Sequence, residues 1–140
     1  RMARYLRDFR YGNQDMSGGI TQAWLSSTLK ISAEEQLHSL KRFWRGQIAV
    51  SLGAIDLAKE SMDTEETASG MILKGKTGSG FLNGRSDEKG RRVGWFVGHL
   101  TSGDKEYIFV TNFQGKIGVE MPGVAAKTIT KRILAEMKLF

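Results

Sequence analysis

A lysine, a hydroxyl and a glycine stand together at Lys76-Thr77-Gly78, with Ser79-Gly80 following. An ammonium beside a hydroxyl can hold a carboxylate, each group supplying donors. The adjacent glycine lets a ligand backbone approach a strand edge. The same tripeptide also reads as a loop lysine next to a turn glycine. Trp24, followed by Leu25, is the second candidate. A buried indole N–H must find an acceptor, and a core tryptophan bonded to a backbone carbonyl satisfies that need equally well.

A nucleophile has to be sought separately. In Ser-x-x-Lys at a helix start, the lysine amine lies one turn from the serine hydroxyl and can act as its base. Three segments match: Ser27 to Lys30, Ser86 to Lys89 and Ser102 to Lys105. The last two fall in polar loops or turns, where no pocket is expected. Ser27 and Lys30 precede Ser32, the cap of the nearest helix, so they lie outside it. Cysteine is absent, which removes disulfides, thiolate zinc sites and cysteine nucleophiles. The two histidines, His38 and His99, are far apart in sequence, and no metal site is expected.

The elements that must position these groups can be read from pattern. The chain has 140 residues, the size of one domain, with 40% hydrophobic and 26% charged residues. Its net charge of +6 is spread along the chain with no run of five basic residues, so no nucleic-acid interface is expected. No apolar run approaches the roughly 18 residues of a membrane span. Met2 to Phe9 reads as a short amphipathic helix, with Met2, Tyr5, Leu6 and Phe9 on one stripe. Arg10 to Thr21 is a polar, glycine-bearing loop. Ser32 and Glu35 form a capping box, opening a helix that runs to about Trp44. A further helix is expected from about Ser51 to Met62, with Leu52, Ile55 and Met62 inward, and Asp63 to Thr67 reads as an acidic connector.

Beyond residue 70 strands are expected. Met71-Ile72-Leu73 leads a strand that ends at Lys76-Thr77-Gly78, and a polar loop spans Gly80 to Arg92. Val93 to Leu100 and Glu106 to Thr111 form an antiparallel hairpin about the turn Ser102-Gly103-Asp104. Pro122 suits the first turn of a helix whose apolar stripe is Ala126, Ile129, Ile133, Leu134 and Met137. Trp95-Phe96-Val97 and Tyr107-Ile108-Phe109-Val110 are apolar at consecutive positions, which implies a sheet buried on both faces. The expected architecture is α/β of the α+β kind: an antiparallel sheet between two helical layers, with residues 1–69 mainly helical and 70–140 holding the strands and the last helix.

In order and spacing these segments resemble the class D (oxacillinase-type) serine β-lactamases. Tyr11-Gly12-Asn13 looks like that family's Tyr-Gly-Asn motif, continued by Gln14-Asp15-Met16-Ser17-Gly18-Gly19. Trp24-Leu25, thirteen residues after Tyr11, sits where the family has its active-site tryptophan and leucine. Leu29 to Gln36 matches the following helix entry, Lys76-Thr77-Gly78 the Lys-Thr-Gly motif, and Gly94-Trp95-Phe96-Val97-Gly98 the strand after it. The family's Ser-x-x-Lys and Ser-x-Val motifs lie upstream of Tyr-Gly-Asn and have no counterpart here. The chain is therefore expected to be the C-terminal half or so of a β-lactamase-like domain, inactive by itself, with the N-terminal part of the same protein as partner.

The resemblance implies penicillins and related β-lactams as substrates, opened through a serine acyl-enzyme. The general base would be a carbamylated lysine, which like the serine belongs to the missing part; no cofactor is implied. Trp24 would donate to that carbamate and Leu25 would exclude water. Lys76 and Thr77 would bind the substrate carboxylate and help relay protons, with Gly78 beside them, and the Ser79 N–H would form one arm of an oxyanion hole. Many relatives carry an arginine on the last helix for the carboxylate; here Ala126 and Lys127 stand at that point. The family implies a periplasmic or secreted location. The rival reading is the β-lactam sensor domain of a signal-transducing receptor, which shares these motifs and stays acylated. A basic binding module without acylation is the third.

Overall fold

The computed structural model describes residues 1–25, 27–67, 70–82, 90–115 and 121–139. The Ser86 to Lys89 segment lies outside the described residues. The elements in chain order are α1 (Met2–Asp8), α2 (Ala33–Trp44), α3 (Leu52–Glu60), β1 (Asp63–Glu66), β2 (Ile72–Phe81), β3 (Arg92–Ser102), β4 (Lys105–Gly115) and α4 (Pro122–Glu136). The four strands form one antiparallel sheet in the order β1-β2-β3-β4, with helices on both faces, as the apolar runs predict.

Alternation along the strands sorts the two faces. Pairing sets Leu73 opposite Leu100, Thr77 opposite Phe96 and Ser79 opposite Gly94. These positions face α4, where Leu73, Phe96, Leu100, Ala126 and Leu134 form the core. The helix can lie this close because Gly94 has no side chain: a Cβ there would stand 2.0 Å from the Pro122 carbonyl oxygen. The alternate positions Lys74, Lys76 and Gly78 pair with His99, Val97 and Trp95 and face the other way. On that side Trp44 of α2 stacks on His99 at 4.1 Å, and Lys59 of α3 lies 5.0 Å from the Trp44 ring.

Helix α2 begins at the capping box read from the sequence. The Ser32 hydroxyl accepts from Glu35 N, and the Glu35 carboxylate accepts from Ser32 N at 2.8 Å. Pro122 occupies the first turn of α4.

Several expectations are corrected. Asp63 to Glu66 is a strand, paired with Ile72 to Gly75. An acidic strand is disfavoured by propensity, but backbone pairing and two lysines of α4 hold it. Lys76-Thr77-Gly78 lies inside β2, since pairing with β3 continues to Phe81. Leu52 is 70% exposed, leaving Ile55 as the buried residue of α3. On α4, Ile129, Ile133 and Met137 face outward, and the buried line is Ala126, Thr130 and Leu134. Close approach of helix and sheet favours small side chains over the longer ones the apolar stripe suggests. No helix among the described residues is long and apolar enough to cross a membrane.

Candidate functional site

Helix α2 covers this face of the sheet at His99, where Trp44 stacks on the imidazole. Towards the Val93 end of β3 the same face opens into a cleft of about 690 Å³. Trp95 and Val97 form its floor with Asn112 and Gln114 of β4; β2 from Lys76 to Phe81 makes one wall, and the segment from Trp24 to Gln36 contributes the other.

Trp24 and Lys76 therefore line one cavity, together with Leu25, Thr77, Gly78, Ser79 and Tyr11. Ser27, the tempting serine, does not line it. Trp24 is 45% exposed, while its neighbour Ala23 is fully buried, so the core-tryptophan alternative is not the arrangement found. Its indole N–H has no hydrogen-bond partner among the described residues.

Lys76 and Thr77 are strand neighbours and point to opposite faces of the sheet. Both line the cleft, and pairing with β1 ends at Gly75, leaving the outer edge of β2 without a neighbouring strand from Lys76 onward among the described residues. A Cβ added at Gly78 would meet nothing closer than 3.7 Å, so protein packing does not demand glycine there. The Ser79 hydroxyl is engaged away from the cleft, accepting from Gly123 N at 2.9 Å. That bond ties the wall to the first turn of α4.

Tyr11-Gly12-Asn13 acts as a clamp on the opposite wall. The Asn13 amide donates to the Thr28 carbonyl at 2.8 Å, and its oxygen accepts from Lys30 N at 2.9 Å and Asp15 N at 3.2 Å. Asn13 N donates to the Lys30 carbonyl at 2.9 Å. Gly12 sits at φ +52°, and a Cβ there would lie 2.1 Å from the same carbonyl oxygen. Gly12 and Asn13 are thus structural, and their hydrogen bonds fix the backbone of Lys30.

The Tyr11 hydroxyl donates to Gln36 Oε1 at 2.7 Å. Burial pushes the phenol above its ordinary pKa, and the Gln36 amide, able to turn a donor toward a phenolate, takes back part of that rise. Lys76 and Lys30 line the cleft and, among the described residues, no carboxylate does, so the field of these residues attracts anions. Among the described residues no group of three or more His, Asp or Glu could hold a metal ion.

No residue of the last helix lines the cleft. Ala126 is fully buried in the core, and Lys127 pairs with Glu65 at 2.5 Å on the opposite side of the sheet from the floor of the cleft. Sequence reasoning missed Trp95 and Val97 as cleft residues, reading them as core; alternation around the fully buried Phe96 is the signal that places them. It also missed Gln36, for which pattern gives no signal.

The family described as the penicillin binding protein transpeptidase domain matches residues 1–135. The chain belongs to that family. Transpeptidase-family relatives bear out the class D β-lactamase likeness. The chain is 39% identical over 132 residues to β-lactamase OXA-9 of Klebsiella pneumoniae, a match covering 88% of this chain and 48% of that protein. A class D β-lactamase structure from Bacillus subtilis superposes with a TM-score of 0.81 at 35% identity, covering 100% of this chain and 53% of the other. The C-terminal domain of the Bacillus licheniformis BlaR penicillin receptor gives 0.85 at 31% identity, covering 99% and 53%. This transpeptidase-family chain spans about half the length of these relatives.

Proposed function

We propose that this chain supplies the anion-binding wall and the tryptophan prop of a class D-type serine β-lactamase. The observation that carries the reading is that Trp24 and Lys76 open onto one cleft. In it the Lys76 ammonium and the Thr77 hydroxyl hold the carboxylate of a penicillin along the open edge of β2. Gly78, which the fold does not need as glycine, leaves room for the ligand. The Ser79 backbone N–H serves as one oxyanion donor, its hydroxyl being occupied by α4.

The attacking serine and the carbamylated lysine come from a part of the protein outside these residues. Ser27 is neither in the cleft nor on a helix with Lys30. Trp24, with its N–H free among the described residues, holds the carbamate by donation, and Leu25 shields it from water. The reading needs no cofactor, and it takes the intact enzyme to work in the periplasm or outside the cell.

The test is turnover by the intact protein. Rapid acylation by benzylpenicillin followed by release of penicilloate is expected, with purified residues 1–140 showing no hydrolysis of a chromogenic cephalosporin. Hydrolysis by residues 1–140, abolished by Ser27→Ala, would overturn the division of roles. The likeness to the BlaR receptor supports a second reading, a β-lactam sensor. An acyl-protein lasting hours whatever the bicarbonate supply would select it. Failure of the intact protein to bind any labelled penicillin would leave a basic binding module.

A further inference from the structure

Beside the polar cleft lies a second, apolar cavity of about 480 Å³, bounded mainly by α2, α3 and the chain after α1. Among the described residues, three line both cavities: Tyr11, Gln36 and Lys76. They form the partition between the two spaces.

Two of the three are rigidly held. Tyr11 follows α1, its N–H donating to the Leu6 carbonyl at 2.9 Å, and the Gly12-Asn13 clamp fixes the chain just after it. Arg42 of α2 bonds the Phe9 carbonyl two residues before. Gln36 sits in the first turn of α2, directly after the capping box, with its N–H on the Ser32 carbonyl at 3.0 Å. Lys76 differs: its ammonium makes no hydrogen bond or ion pair with any described residue.

A phenol has one proton and two acceptor lone pairs. Tyr11 commits its proton to Gln36 Oε1 at 2.7 Å. What remains on the phenol oxygen is acceptor capacity alone. We propose that Gln36 is a positioning residue: by accepting the hydrogen bond from the Tyr11 hydroxyl it leaves the phenol oxygen as an acceptor for the Lys76 ammonium, steadying that ammonium at the partition when it grips a ligand carboxylate. Without Gln36 the hydroxyl is free to turn its proton toward Lys76, which sets a donor against a cation. Burial of the phenol keeps its proton in place through the neutral range.

The inference rests on Lys76 being the carboxylate-binding group, so its test compares substrates with and without that carboxylate. In the intact protein, acylation rates for benzylpenicillin and its methyl ester are measured for wild type, Gln36→Leu and Tyr11→Phe. The preference for the free acid is expected to fall about tenfold in Gln36→Leu and in Tyr11→Phe. Equal loss on both substrates would show a merely structural role and overturn the inference. Tyr11→Phe removes a single oxygen and decides the matter if Gln36→Leu does not fold. Should the wild type be acylated by neither compound, the proposed function has failed. The side-chain ammonium resonance of Lys76 then decides the positioning role: a shift in both Gln36→Leu and Tyr11→Phe supports it, and an unmoved resonance in either overturns it.

Discussion

The Glu65 carboxylate bridges two lysines of α4, Lys127 at 2.5 Å and Lys131 at 2.7 Å, and so pins the sheet's outermost acidic strand to the helix behind it. Lys127 also lies 5.7 Å from the Phe96 ring, on the core face of the sheet. Its charge is thus committed to a structural bond. Lys127→Ala in the intact protein is expected to leave the penicillin KM within about twofold of wild type, measured by steady-state hydrolysis. A tenfold rise would mean that the helix reaches the ligand.

The same bridge gives acid sensitivity. Hydrogen bonds from Lys127 and then Lys131 hold the Glu65 carboxyl below its ordinary pKa. A depressed carboxyl stabilises the fold above its unfolded value, near 4.3, and that contribution is lost as pH falls through the folded value. The carboxylate is about a third exposed, so solvent screening limits the bridge to about 1 kcal/mol. Glu65→Gln should lower the Tm by a few degrees at pH 7, and the difference from wild type should vanish at acid pH.

His99 adds to the acid sensitivity by another route, through a neutral form that the fold favours. Burial against Trp44 lowers its pKa, the nearby Lys59 and Lys74 add to the effect, and Glu106 at 3.7 Å opposes it. The unfolded imidazole takes up its proton near pH 6.5 and the folded one only below that. Stability therefore declines as pH drops below about 6.5, because the unfolded state binds more protons there. Thermal melts between pH 7.5 and 5 should show this decline. His99→Phe, which keeps an aromatic stack, should flatten it.

Gly123 faces the wall of the cleft from behind. A Cβ there would stand 2.7 Å from the Gly78 carbonyl oxygen and 2.8 Å from Ser79 Oγ. Gly123→Ala must therefore push β2 where it borders the cleft, at an expected loss of about 1–3 kcal/mol from overpacking. Ser79→Ala removes only the acceptor for Gly123 N and should cost about 1 kcal/mol. Denaturant unfolding distinguishes the two, and only the glycine variant should also displace Lys76 in a crystal structure.

Asn13→Ala removes three hydrogen bonds at once. A loss of about 2–3 kcal/mol is expected, with faster tryptic cleavage after Lys30. Asn13→Asp keeps the two accepted bonds and should lie between the variant and wild type. Equal stability of all three would show that the loop is held elsewhere.

How much of this was legible in the sequence depended on the range of the interaction. The capping box at Ser32 and Glu35, and Pro122 at a helix start, are local and were readable. The strand at Asp63 to Glu66 was not, because its partners are the backbone of β2 and lysines on a distant helix. The inward line of α4 was misread because Gly94 draws the helix so close that alanine and threonine fill the contact. Trp24 and Lys76 were singled out by chemistry and by family likeness, yet no periodicity could say that they share a cavity. The bond between Tyr11 and Gln36 depends on side-chain reach across two segments and leaves no trace in pattern.

Strand β4 closes one side of the sheet: β3 pairs with it, and no described strand lies beyond it. A row of peptide groups with nothing beside it is a template for copies of the same strand. Where that edge stays uncovered in a preparation of these residues alone, association through β4 is expected, and low solubility would then say nothing about the quality of the pocket.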